Sequence, residues 1–230
     1  MFKTLIVGIF TLWIAMSLSA CTPDMTGFAI TDGYVAYMPE TLDRSKKYPM
    51  LYLLTPDESS ERLARMLKPV ADEEGFVLVV DKHYRKDKAI SELYSKREIA
   101  LNECMRDYPV NTDHIIAGGF DEGASAAYSF VEAYPKLLKG VIANCGILAY
   151  GSDQYRNEPM PSKFPREKFC AFITSKDDYR FNQMDGDRTN LEAWDWKVKW
   201  IETEDGHALA NAGYWSQAMK WLKEQLGYGN

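Results

Sequence analysis

The feature that most constrains this chain is the run His114-Ile115-Ile116-Ala117-Gly118-Gly119-Phe120-Asp121-Glu122-Gly123-Ala124-Ser125. Its first half is apolar without polar alternation, as suits a strand buried on both faces. Its second half is rich in small residues, as suits a helix packed closely on that strand. Gly119 and Gly123 stand two places either side of Asp121 and leave room for a sharp strand-to-helix turn. Such a turn lifts the side chain at its apex, here Asp121, above the carboxyl edge of a parallel sheet.

Similar strand material lies before and after it. Residues 28–30 and 34–38 read as strands around an Asp32-Gly33 turn, and 48–54 and 76–80 as continuous apolar strands. Residues 140–145, 169–174 and 196–203 supply three more. Between them, Leu63, Met66, Leu67 and Val70 recur at helical spacing, with Pro69 as a potential kink and Gly75 as the stop. Helical patterns follow over 88–107, 122–134, 180–194 and 214–226, whereas 151–166, with Pro159, Pro161 and Pro165, reads as loop. Strand and helix alternate with no linker or repeat. The expected fold is one α/β domain over 28–230, a doubly wound, mostly parallel sheet with helices on both faces.

The amino-terminal residues are set apart from that domain. Lys3 is followed by an apolar stretch from Leu5 to Leu18, then Leu18-Ser19-Ala20-Cys21. This pattern reads as a signal peptide over 1–20. Its end resembles the lipobox of bacterial lipoproteins, which implies cleavage before Cys21, lipid attachment to Cys21, and residues 21–27 as a tether. The resemblance therefore implies a lipid-anchored protein of the bacterial cell envelope, with the membrane as a partner. The apolar stretch is short for a membrane span, which needs about 20 residues. A net charge of -6 and the lack of any Lys/Arg cluster give no basis for nucleic-acid binding.

In a doubly wound sheet, chemistry gathers at the carboxyl ends of the strands. Asp121, the pair Asp177/Asp178 and His207 all fall at such ends, in the chain order nucleophile, acid, histidine. The run around Asp121 has the layout of a nucleophile elbow. With Tyr48-Pro49-Met50-Leu51-Tyr52-Leu53-Leu54, Leu67-Lys68-Pro69-Val70-Ala71-Asp72-Glu73-Glu74-Gly75-Phe76, Thr174-Ser175-Lys176-Asp177 and Asp205-Gly206-His207, the chain resembles the compact α/β-hydrolases without a cap domain, near the polyhydroxybutyrate depolymerases and feruloyl esterases. By that resemblance Asp121 holds the nucleophile place, Asp177 the acid and His207 the base. The backbone N–H of Glu122 would be one oxyanion donor and the loop near Asp57 the other. One place of register would exchange Asp177 and Asp178. The resemblance implies a small-molecule or glycan ester as ligand, and no cofactor.

Two departures bear on that reaction. Asp121 stands where serine is expected, and a carboxylate attacking an ester carbonyl forms an anhydride, no easier intermediate. Leu54-Thr55-Pro56 replaces the family's His-Gly pair, and Pro56 has no N–H to offer an oxyanion. Three readings stand for Asp121. It can be an alkylating nucleophile, as in the haloalkane dehalogenases and epoxide hydrolases of this fold; the span from Asp121 to Asp177, already holding a helix, a strand and a loop, leaves no room for the cap those enzymes carry. It can mark a site that has lost catalysis and is kept for binding or assembly. Or the protein remains a hydrolase by another arrangement, with Asp121 or His207 activating water, or Ser125 serving in its place.

Other residues read as structural. Ser125 is a small packing residue one helical turn past the apex, and His83 and His114 sit at a strand end and a strand start. Cys104, Cys145 and Cys170 read as buried thiols, with a bridge between Cys145 and Cys170 open. No Cys-x-x-Cys spacing occurs and the chain has three histidines, so no metal site is expected.

Overall fold

The computed structural model describes residues 26–55, 59–83, 90–148 and 164–228. Cys21 and Asp57 lie outside the described residues, and so do the signal segment 1–20 and most of the tether 21–27. Eight strands and five helices follow in the order β1 (Gly27–Ile30), β2 (Tyr34–Met38), β3 (Tyr48–Leu54), α1 (Ser60–Glu74), β4 (Val77–Asp81), α2 (Ile90–Asp107), β5 (Val110–Phe120), α3 (Glu122–Ala133), β6 (Leu138–Asn144), β7 (Phe169–Ser175), α4 (Phe181–Ala193), β8 (Lys197–Thr203) and α5 (Ala212–Gln225).

They form one sheet in the order β1-β2-β4-β3-β5-β6-β7-β8. The pairings β1–β2 and β2–β4 are antiparallel, and every other pairing is parallel. This is the doubly wound, mostly parallel α/β fold expected from the alternation. The absence of polar alternation has its reason in the packing. Met50, Tyr52 and Leu54 point into one core with Leu101 of α2 and Tyr128 of α3, whereas Leu51 and Leu53 point into another with Leu67 of α1 and Trp215 of α5. Both faces of β3 are therefore dry.

Pro69 lies inside α1, which runs on to its cap at Gly75. There the backbone turns left-handed (φ 66°) and the Gly75 N–H caps the helix on Ala71 O at 2.9 Å. Residues 110–113 belong to β5: Val110 pairs with Tyr48 before the ladder shifts register ahead of Ile115. Among the described residues, no helix is long and apolar enough to cross a membrane.

Candidate active site

The site lies at the carboxyl ends of strands running from β5 to the edge strand β8. Between β5 and α3 the backbone turns at Asp121 with φ 53° and ψ -119°, outside the usual regions for a residue with a side chain. Such a conformation costs about 1–3 kcal/mol and persists only where the surroundings enforce it. Here they do: the Asp121 N–H donates to Asn144 O of β6 at 2.9 Å, and Asp121 O accepts from the Ala124 and Ser125 N–H groups at 3.1 and 3.2 Å. The two flanking glycines are steric necessities. A Cβ on Gly119 would lie 2.4 Å from the Gly123 carbonyl carbon, and one on Gly123 would lie 2.1 Å from Leu54 O.

His207 stands opposite, in the loop between β8 and α5. Its Nδ1 lies 2.9 Å from Asp178 Oδ1, and its Nε2 lies 3.7 Å from Asp121 Oδ1. The acid facing the histidine is thus Asp178, whose carboxylate is wholly buried, and not Asp177, which is exposed. The tight turn after β7 explains the one-place shift. The Asp177 N–H is used on Ser175 Oγ and the Asp178 N–H on Ser175 O, so the chain doubles back and brings Asp178 inward. Tyr179 and Phe120 pack on the imidazole with ring centroids 4.5 and 5.5 Å away. The loop itself is pinned by Asn144, whose Oδ1 accepts the Ala210 N–H at 2.8 Å while its amide donates to Ile173 O and Ala208 O.

Arg180, which the sequence did not single out, completes the site. It precedes α4, and its guanidinium donates to Asp121 Oδ1 in an ion pair. Arg180 Nη1 also lies 3.5 Å from Cys145 O, and the Arg180 backbone N–H donates to Asp178 Oδ1 at 2.8 Å. Apex carboxylate and histidine are therefore near neighbours, but the partner of Asp121 at hydrogen-bond distance is an arginine. Nothing in the run Asp177-Asp178-Tyr179-Arg180 marks this residue in advance; only the fold of the β7–α4 connection aims it at the elbow.

The remaining site residues are placed as follows. Glu122 opens α3, so its backbone N–H stands at the helix amino terminus beside the apex, the position expected of an oxyanion donor. Ser125 Oγ turns back to its own helix, 3.5 Å from Asp121 O. His83 bonds Asp81 and His114 bonds Leu226 O, each away from the elbow. Cys104, Cys145 and Cys170 are free buried thiols. Cys145 follows β6 with φ 51° and lies close to both Asp178 and His207. It is no replacement nucleophile: burial, and then the Asp178 carboxylate, push its thiol well above the ordinary range, and its Sγ faces Ala208 O at 3.5 Å. A cleft of about 340 Å³ opens over the elbow, lined by Thr55, Ser59, Arg62, Leu63, Phe120, Asp121 and Leu209.

A doubly wound sheet with a glycine-flanked elbow after β5, an acid after β7 and a histidine after β8 is the α/β-hydrolase fold. Solved structures agree. The chain superposes on an α/β hydrolase enzyme from a Medee basin deep-sea metagenome library with a TM-score of 0.65 and 14% identity, covering 88% of this chain and 99% of that one. For a ferulic acid esterase the values are 0.62 and 15%, covering 83% and 91%. For a thermostable esterase they are 0.59 and 14%, covering 83% of this chain but 58% of that one. No family model matches the sequence, and no curated protein does.

Proposed function

We propose that this protein is a lipid-anchored envelope protein whose α/β-hydrolase-fold domain holds a small ligand in the cleft above Asp121 and turns over ordinary esters negligibly. The observation that carries this reading is the ion pair between Asp121 and Arg180. The ester hydrolysis of this layout needs a hydroxyl at the apex, whose proton the histidine removes at about 2.6–3.2 Å. Asp121 has its carboxylate bonded to a guanidinium and stands 3.7 Å from His207 Nε2. It has no proton for the histidine to remove, so the histidine has no part in activating it. The pair satisfies the charge of the apex and leaves an esterase frame without the esterase reaction.

One observation favours a second reading, an active hydrolase with altered chemistry: the order Asp178–His207–Asp121 keeps the layout of an acid, a base and an apex residue. In that case Asp121 or His207 would activate water directly on a small-molecule or glycan ester. An alkylating Asp121 is less well supported, because breaking the Arg180 pair adds to the cost of the attack.

The deciding experiment assays wild type, Asp121→Ala and Asp121→Ser on chromogenic short-chain esters. Negligible turnover by wild type is expected. Efficient turnover by wild type that Asp121→Ala abolishes would establish the second reading and end the first. The envelope assignment rests on Leu18-Ser19-Ala20-Cys21. Labelled fatty acid should enter wild type and not Cys21→Ser, and Cys21→Ser should leave the membrane fraction; equal labelling of the two would remove the anchor.

A further inference from the structure

Three adjacent strands, β6, β7 and β8, each lead at the carboxyl edge into one side chain of a kind that binds metals: Cys145, Asp178 and His207. Sγ, a carboxylate oxygen and a ring nitrogen of these residues lie within 4.8 Å of one another. We propose that Cys145, Asp178 and His207 form a binding site for a divalent transition-metal ion of borderline softness, zinc before others.

The donor set selects the class of ion. Thiolate and imidazole together favour zinc and its neighbours over magnesium or calcium, which take oxygen ligands. Bond lengths of about 2.0–2.3 Å from zinc to N, O and S need donor atoms only a few ångströms apart, which these already are within small side-chain shifts. Three protein ligands would leave a fourth position for water.

Two further observations point to a cation at this place. Asp178 Oδ1 accepts from His207 Nδ1 and from the Arg180 N–H, yet Asp178 Oδ2 is fully buried and has no hydrogen-bond partner among the described residues. An oxygen of a buried carboxylate left unpaired is costly, and among the described residues no lysine or arginine side chain pairs with Asp178, since Arg180 is committed to Asp121. The other ring nitrogen of His207 faces the Asp121 carboxylate at 3.7 Å. A shift of about half an ångström would bring the two into hydrogen-bond reach, and a carboxylate bonded behind a metal-bound histidine fixes its tautomer and raises its basicity. On binding, the Cys145 thiol gives its proton to solvent. The metal takes the place of hydrogen between His207 Nδ1 and Asp178, and the ring keeps its proton on Nε2, toward Asp121. The ion ties the His207 loop to the ends of β6 and β7. The inference stands on this geometry alone, whether or not the cleft has any turnover.

The test uses the full chain in detergent, stripped with a chelator and titrated with Co²⁺ as a spectroscopic stand-in for zinc. A thiolate-to-cobalt charge-transfer band should grow to saturation at one cobalt per chain, vanish on adding Zn²⁺, and be accompanied by a rise in Tm with either ion. Cys145→Ala should abolish the band, whereas Cys21→Ser, Cys104→Ala and Cys170→Ala should keep it. Asp178→Asn should weaken binding by at least tenfold, and Asp121→Asn by about tenfold or more while the band remains, as for other carboxylates behind a ligand histidine. Circular dichroism of each metal-free variant checks that it folds. The absence of a band in folded wild type at millimolar Co²⁺ overturns the proposal, and so does a band that survives Cys145→Ala.

Discussion

The Arg180 guanidinium is hydrogen-bonded to the Asp121 carboxylate, which joins the β7–α4 connection to the apex of the β5–α3 turn. Both side chains keep partial solvent contact, 18% for Arg180 and 28% for Asp121. Solvent screening therefore limits what the pair contributes to about 1 kcal/mol. Arg180→Gln should lower the urea midpoint by that modest amount and confer no ester turnover. A loss of several kcal/mol would mean that the pair behaves as a buried one.

The glycines of the chain divide by sign. Gly123→Ala and Gly119→Ala force a Cβ into backbone 2.1 and 2.4 Å away, so each should cost about 3 kcal/mol or more, or prevent folding. Gly186 lies inside α4, where a methyl group would meet nothing within 4 Å, and Gly186→Ala should stabilise by about 0.5–1 kcal/mol. Equilibrium unfolding of the three variants separates the cases; equal effects would contradict the close packing at the elbow.

Asn144 holds the His207 loop through the Ala210 N–H and the carbonyls of Ile173 and Ala208. Asn144→Ala leaves the buried Ala210 N–H without its acceptor and should cost about 1–3 kcal/mol. Hydrogen exchange should locate the effect, with the Ala210 amide losing protection far more than amides of β3. Uniform loss across the sheet would point instead to a general weakening of the core.

Stability should fall on the alkaline side. Burial pushes the thiols of Cys104 and Cys170 and the phenol of Tyr52 well above their ordinary values of 9.0 and 10.0, and the Asp81 carboxylate adds to the effect on Tyr52. Below the ordinary thiol value these groups are protonated in both states, and their full contribution is present. Above it the unfolded chain releases protons that the folded chain keeps, so the unfolded state gains and stability drops as pH rises. The urea midpoint should hold steady up to about pH 8.5 and decline through about pH 10.5. A flat profile over that range would contradict the burial of these groups.

The fold was readable because its signals are local and repeated. The apolar runs of β3 and β4 and the glycine spacing around Asp121 each report a buried strand or a tight turn through composition alone. The site was readable only as far as strand ends. That His207 and an aspartate after β7 would meet follows from topology, but whether Asp177 or Asp178 turns inward depends on the hydrogen bonds of one turn around Ser175. Arg180 and Cys145 were missed as site residues for the same reason. Their side chains acquire meaning from neighbours far away in the chain, Asp121 for one and Asp178 and His207 for the other.

The two outer strands of the sheet have a consequence for how copies of this domain tolerate crowding. An edge strand offers unpaired backbone groups to which another chain can add its own strand. At one edge, β1 is only four residues long. At the other, β8 is longer, but Lys197, Lys199 and Glu202 along it are exposed and charged. A second β8 laid alongside, parallel and in register, would set Lys197, Lys199 and Glu202 each against its own copy, and that repulsion opposes the joining of two sheets into one.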